Sequence, residues 1–286
     1  MIRGILVILA ILGWLGGIPN ASATAGTLEQ IAQTGKIRIG YRKAQPPMSF
    51  LNQAGKPVGY TIDICTRIVA GIKNKLGKEF KTEYVPVTAD DRFSALTENK
   101  IDILCGSTTK TLSRAKLVDF TQLTFVTGAS LMTLKEKGIH NLAALNGMKI
   151  GVVRDTTTAQ VLKNMLQKTL TDAEIVNVNS AKEGVEALQS GKIAAFSSDQ
   201  VVLIGLVIAL GGENKYAIAS DVFSYEPFAL AVRRNDSDFR LEADRVLSYL
   251  YRSGLILPIY EKWFGRYSEK RPPIFDALYG LNATPE

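Results

Sequence analysis

Histidine is almost missing from the 286 residues: His140 is the single one, and the two cysteines, Cys65 and Cys105, lie far apart. Metal sites need clustered histidine, cysteine or carboxylate at short spacing, so neither a metal nor another cofactor is expected. Clustered charge of one sign is missing too. The formal net charge is +7, but no five like charges follow one another. Nucleic-acid binding needs a concentrated basic footprint and is not expected, whereas a spread excess of positive charge suits a small anionic ligand. Long apolar runs are likewise absent, since Ile5 to Ile18 and Val201 to Leu210 both fall short of the roughly 20 residues that span a bilayer. The second run is closed by Gly211-Gly212 and reads as a buried helix.

The first run has another meaning. Arg3 precedes it, small residues follow it, and Ala21-Ser22-Ala23 or Ala23-Thr24-Ala25 fits a small-x-small cleavage site. This is the pattern of a cleavable secretory signal peptide over residues 1–25, with no cysteine placed to accept a lipid. A soluble protein in the periplasm is expected. Its roughly 260 remaining residues suffice for one large domain or two smaller ones, and 46% hydrophobic with 21% charged is ordinary globular composition. In an oxidising compartment Cys65 and Cys105 can form a disulfide; two buried thiols, one on a helix and one ending a strand, are the alternative.

Strand and helix patterns alternate after the leader. Lys36 to Tyr41, Phe80 to Val85 and Ile101 to Cys105 read as strands, and Tyr60 to Lys75 and Asp90 to Asn99 as helices. The plan repeats with strands Lys149 to Val153, Glu174 to Val178 and Ile193 to Phe196 and helices Thr157 to Leu170 and Ala181 to Ser190. Alternation of this kind predicts mostly parallel sheets. Two extended stretches, Phe125 to Thr133 and Tyr225 to Arg233, are placed to carry the chain between the units and back. Helical periodicity over Asp238 to Tyr267 should then pack on the first unit. The tail beyond Ser268, with Pro272-Pro273, is expected to be partly extended.

Ligands of open α/β sheets bind beyond the carboxyl ends of the strands, and polar residues gather at those places. Gly106 to Phe120, GSTTKTLSRAKLVDF, supplies hydroxyls and Arg114, whose planar fork suits a carboxylate; a capped turn with a surface arginine is the plain alternative. Asp155-Thr156-Thr157-Thr158 begins a helix, where free backbone N–H groups favour an anion, although an ordinary helix cap accounts for it equally well. Asp199 follows a strand and could take an ammonium group or merely close a turn.

Together these segments resemble a family. KIRIGYRKAQPPMSF, GYTIDI, IDILCGSTT with Arg114 and LVDFT, GVVRDTTTA, LQSGKIAAFSSD and YEKWFG, in that order over nearly all of the mature chain, are similar to the polar amino-acid-binding proteins of ABC importers, solute-binding protein family 3. The resemblance implies an α/β fold of the two-lobed periplasmic-binding-protein type, each lobe a mostly parallel sheet flanked by helices, with two hinge strands between them. Lobe 1 would be 26–127 and 230–286, and lobe 2 would be 128–229. It further implies that Arg114 grips the ligand α-carboxylate with help from Thr109 and the Thr157 backbone, while Ser107, Thr109 and Asp199 hold the α-ammonium. The implied partner is the membrane part of an importer, and a monomer is expected.

Within that family the chain resembles most the glutamate/aspartate branch. Arg42 follows the first strand, and Arg92 and Ala89 stand where binders of basic or neutral side chains carry an apolar and an aromatic residue. Two guanidiniums suit a β- or γ-carboxylate. The chain departs from the branch in having Ala89 for a serine, and a shortened segment Ser180 to Gly184 without its histidine; Arg154 is a candidate replacement contact. Binding of glutamine or asparagine, a non-transport sensor with the same pocket, and a small-acid dehydratase on the same fold are the other readings. The last is disfavoured, because arginines are poor bases and Asp155 and Asp199, the carboxylates placed in the cleft, have cap and ammonium roles.

Overall fold

The computed structural model describes residues 25–267 and 270–286. The leader expected over 1–25 therefore lies, apart from Ala25, outside the described residues. Two five-stranded sheets organise the chain. In the first, Lys81–Pro86, Lys36–Tyr41 and Ile103–Cys105 run parallel, and Glu226–Arg233 and Val118–Thr127 complete the sheet antiparallel. In the second, Glu174–Val178, Lys149–Val153 and Ala195–Asp199 are parallel, followed by the antiparallel Ala129–Leu134 and Tyr216–Ile218. Each sheet is thus mixed, three parallel strands extended by antiparallel pairings. Val118–Thr127 takes the chain out of the first sheet, Ala129–Leu134 enters the second and Glu226–Arg233 returns to the first; the last two run against the parallel strands because they enter their sheets from the side at which those strands end.

At the crossing, Thr127 pairs with Glu226, and the chain passes through Gly128 into the second sheet. A Cβ on Gly128 would collide with the Ser224 carbonyl and the Val222 side chain, so the absence of a side chain lets the two crossing segments touch. The apolar run expected to be a core helix is the helix Gln200–Ala209, and among the described residues no helix is long and apolar enough to cross a membrane. Its Gly205 meets the Pro46 carbonyl so closely that a Cβ would collide with it. A helix beside the second sheet is thereby seated on a turn of the first unit, and the cleft between the sheets is shut.

Helices Ser237–Arg252 and Ile256–Phe264 pack on the helix Tyr60–Leu76 of the first unit, as the crossing predicts. The tail differs from expectation: Pro273–Leu281 is a helix. Pro273 occupies its first turn, where a missing N–H costs nothing, and Phe275, Leu278 and Tyr279 are buried. The Phe125 and Phe275 ring centroids lie 4.6 Å apart, and Tyr279 and Tyr60 share a hydroxyl contact of 3.1 Å.

Cys65, on the helix Tyr60–Leu76, and Cys105, ending the strand Ile103–Cys105, form a disulfide. The bridge pins the strand end from which Gly106 and Ser107 continue. Closing a loop between residues 40 apart in sequence removes unfolded-state entropy, so a Cys65→Ala/Cys105→Ala double variant is expected to lose about 2–4 kcal/mol of stability. Urea unfolding measures this, and an unchanged midpoint would contradict it.

Candidate functional site

The two sheets point the carboxyl ends of their parallel strands at one another. From the first come Arg42, directly after Lys36–Tyr41, and Ser107 and Thr109, after Ile103–Cys105. Arg92 starts the helix Arg92–Thr97, and Arg114 starts the short turn Arg114–Lys116. From the second come Thr157, first residue of the helix Thr157–Lys168, and Asp199, last residue of Ala195–Asp199. All seven line one cavity, together with Gln45, Thr156, Thr158, Ala181, Ser197 and Ser198. A second cavity of about 220 Å³ adjoins it and shares Arg42, Gln45 and Ala181. Other candidates fall elsewhere. Arg154 is exposed and does not line the cavity, and Ala89 is buried without lining it. Asp155 is not the helix cap: Thr156 is, its hydroxyl accepting from the Ala159 N–H at 3.1 Å, while Asp155 sits at φ 58°. Among the described residues no carboxylate, histidine or cysteine cluster could hold a metal.

Charge in this cavity is crowded and incompletely paired. Arg42 is lowered to about 10 by burial, against the pull of Asp91 and Asp199. Burial lowers Arg92 to about 9, with the like charges of Arg114 and Arg42 adding to the effect. Arg114 is lowered as well, again by burial, and the carboxylates of Glu226 and Asp199 oppose the shift. Asp199 moves the other way. Burial first, then the negative charge of Glu226, raise it to about 8, as expected when desolvation disfavours the ionised form.

Two buried side-chain atoms among the described residues have no hydrogen-bond partner: Arg92 Nη1 and Asp199 Oδ1. Both belong to residues lining the cavity. Leaving such groups unpaired is costly, and natural folds rarely do so without a reason. Other polar groups of the cavity are tied down. Arg92 Nη2 donates across the cleft to the Asp155 carbonyl at 3.0 Å, Arg114 Nη1 donates to the Thr109 carbonyl at 2.9 Å, and Ser107 donates to Gln45 Oε1 at 2.6 Å. The arginine stems are held in place by packing. The Phe93 ring lies 4.5 Å from the Arg92 guanidinium and 5.5 Å from that of Arg114, the aliphatic part of Arg42 fills the space a Gly106 side chain would take, and fixed cations of this kind bind a planar anion with little further ordering.

The sequence reading passed over Glu226. It is 1% exposed, opens the strand Glu226–Arg233, and accepts hydrogen bonds from Thr109 at 2.6 Å, Thr157 at 2.7 Å and Ser224 at 2.7 Å. A lone acid heading the apolar stretch PFALAV was the signal available.

An arrangement with unpaired cationic and anionic groups in one shut cleft can hold a charged solute, and the comparisons agree. The profile of the bacterial extracellular solute-binding proteins, family 3, matches residues 37–266. An L-glutamate/L-aspartate-binding protein of Pseudomonas aeruginosa is 32% identical over 85% of this chain and 82% of its own length. The glutamine-binding protein of a Bacillus subtilis ABC transporter is 30% identical over 90% of this chain and 92% of its own. Among solved structures, an ancestral arginine-binding protein bound to glutamine superposes with a TM-score of 0.71 at 31% identity, covering 81% of this chain and 98% of that one. These matches support a binding protein rather than an enzyme, on the expected two-lobed α/β fold. A profile that runs through both sheets and through every strand end that lines the cleft means that this chain belongs to the bacterial extracellular solute-binding proteins of family 3.

Proposed function

We propose that the mature chain captures an acidic amino acid, L-glutamate or L-aspartate, in the periplasm and delivers it to the membrane subunits of an ABC importer. The lobes that close on the ligand are 26–127 with 230–286, and 128–229. The observation that carries this reading is the pair of buried orphans, Arg92 Nη1 and Asp199 Oδ1, one asking for an anion and the other for a cation. Arg114 takes the α-carboxylate, with the N–H groups at the start of the helix Thr157–Lys168; Asp199, Thr109 and Ser107 take the α-ammonium. Arg42 and Arg92 then remain for a side-chain carboxylate. Glutamine or asparagine would satisfy the same α-groups, as the name of the Bacillus relative supports, but would leave two neighbouring guanidiniums without a counter-charge. Because the contacts come from both lobes, the ligand binds the closed form better and shifts the population toward it.

A thermal-shift screen of the mature protein against the twenty proteinogenic L-amino acids tests the reading. Glutamate or aspartate is expected to stabilise most, by about 2.7 kcal/mol at a hundred times its Kd. A larger shift with lysine or arginine would overturn the acidic assignment.

A further inference from the structure

Each hydroxyl has one proton to give, and Glu226 receives those of Thr109 and Thr157 on a single oxygen, Oε2, at 2.6 and 2.7 Å. One threonine stands beside the first sheet and the other heads a helix of the second. Their own oxygens lie 3.2 Å apart, but a short contact to a carboxylate is stronger than a longer one between neutral groups, so both protons point to Glu226. Ser224 commits its proton to Oε1 at 2.7 Å and so leaves that carboxylate facing hydroxyl donors on both oxygens. What Thr109 and Thr157 present to the cavity they line is then lone pairs.

We propose that Glu226 sets the polarity of the α-ammonium subsite, holding the Thr109 and Thr157 hydroxyls as obligate acceptors beside Asp199. The inference rests on the amino-acid part of the functional reading and not on the choice of acidic side chain. Glu226 is a positioning residue, since it acts through the two threonines. Its consequence is selectivity: an ammonium group can only donate and needs acceptors, whereas a hydroxyl in the same position donates or accepts and is indifferent to their polarity.

Glu226→Gln preserves shape but supplies an amide N–H₂ that donates to the threonine oxygens and turns their protons toward the cavity. Calorimetric titration with L-glutamate and with L-2-hydroxyglutarate separates the outcomes. The variant is expected to bind glutamate about thirtyfold more weakly and the hydroxy acid within about threefold of the unaltered protein. Equal weakening of both ligands, or an unchanged glutamate affinity, would overturn the proposal. If the unaltered protein ignores glutamate, the acidic assignment has failed instead, and L-glutamine with 2-hydroxyglutaramate carries the same comparison. Should Glu226→Gln not fold, Thr109→Val removes one acceptor and must show the same selective loss of the amine.

Discussion

Replacing Arg114 by alanine is expected to weaken binding of every amino acid by about a hundredfold or more, because truncating one partner of a buried charge pair costs about 2–5 kcal/mol. Replacing Arg92 by leucine should act differently. The common α-carboxylate contact survives, so glutamate and aspartate lose affinity while glutamine is little affected. Stability separates the two roles further. In the empty protein Arg92 Nη1 is buried and unpaired, and the guanidinium is lowered to about 9 by burial and by the charges of Arg114 and Arg42. An apolar side chain removes that unpaired charge, and Arg92→Leu is expected to leave the empty protein at least as stable as before. A site residue whose loss harms binding but not folding is the signature of a group placed for a ligand. Calorimetry and urea unfolding of the two variants supply the check: an Arg114→Ala protein that binds within threefold would show that the α-carboxylate lies elsewhere.

What the sequence could reveal depended on how local the cause was. Lys149–Val153 and Glu174–Val178 are the spans expected from β-branched runs, since edge and centre positions of a parallel strand carry that composition. The helix expected over Asp90 to Asn99 is only Arg92–Thr97, because Asp91 is spent on the turn before it, accepting from the Thr88 N–H at 2.6 Å. Of the seven candidates that line the cavity, Thr109, Arg114, Thr157 and Asp199 stand after strands or at a helix start, places topology marks in advance, whereas Arg42 and Arg92 were legible only through the family resemblance. Glu226 was not legible. Its partners Thr109 and Thr157 are 117 and 69 residues away, and no local pattern separates a buried acid at the head of a strand from a surface one. The tail helix was missed for a related reason: Pro272-Pro273 reads as extended, and only docking of Phe275 and Tyr279 on Phe125 and Tyr60 shows that Pro273 opens a helix. Gly205 likewise looked like one small residue in an apolar run, and its contact with Pro46 exists only once the lobes have met.

Affinity is expected to rise with pH up to about 8, and Asp199 is the cause. In the empty cleft burial and the nearby Glu226 carboxylate raise it from 3.8 to about 8, while Arg114 and Arg42 draw it back. Below that pH the side chain carries a proton. An arriving α-ammonium supplies the cation that Asp199 Oδ1 lacks, and it needs the carboxylate, so binding expels the proton. The sign follows from linkage: where binding releases one proton, affinity increases by about tenfold per pH unit, and it levels once Asp199 is ionised beforehand. The same shift acts on the empty fold in the opposite sense. A carboxyl whose folded pKa is raised contributes stability that is complete below 3.8 and is lost as pH rises toward about 8, so the ligand-induced thermal shift should widen across that window. Calorimetry in buffers of different ionisation enthalpy reads the proton directly, with about one released per ligand at pH 6 and about half of one at pH 8. Asp199→Asn removes the titrating group, and with it both the proton release and the charge-assisted contact; its affinity should be flat from pH 6 to 8 and about tenfold or more below that of the unaltered protein at pH 8. Proton release that persists in Asp199→Asn would assign the titration to another group in the cleft, and an affinity of the unaltered protein that does not change between pH 6 and 8 would remove Asp199 from the ammonium contact.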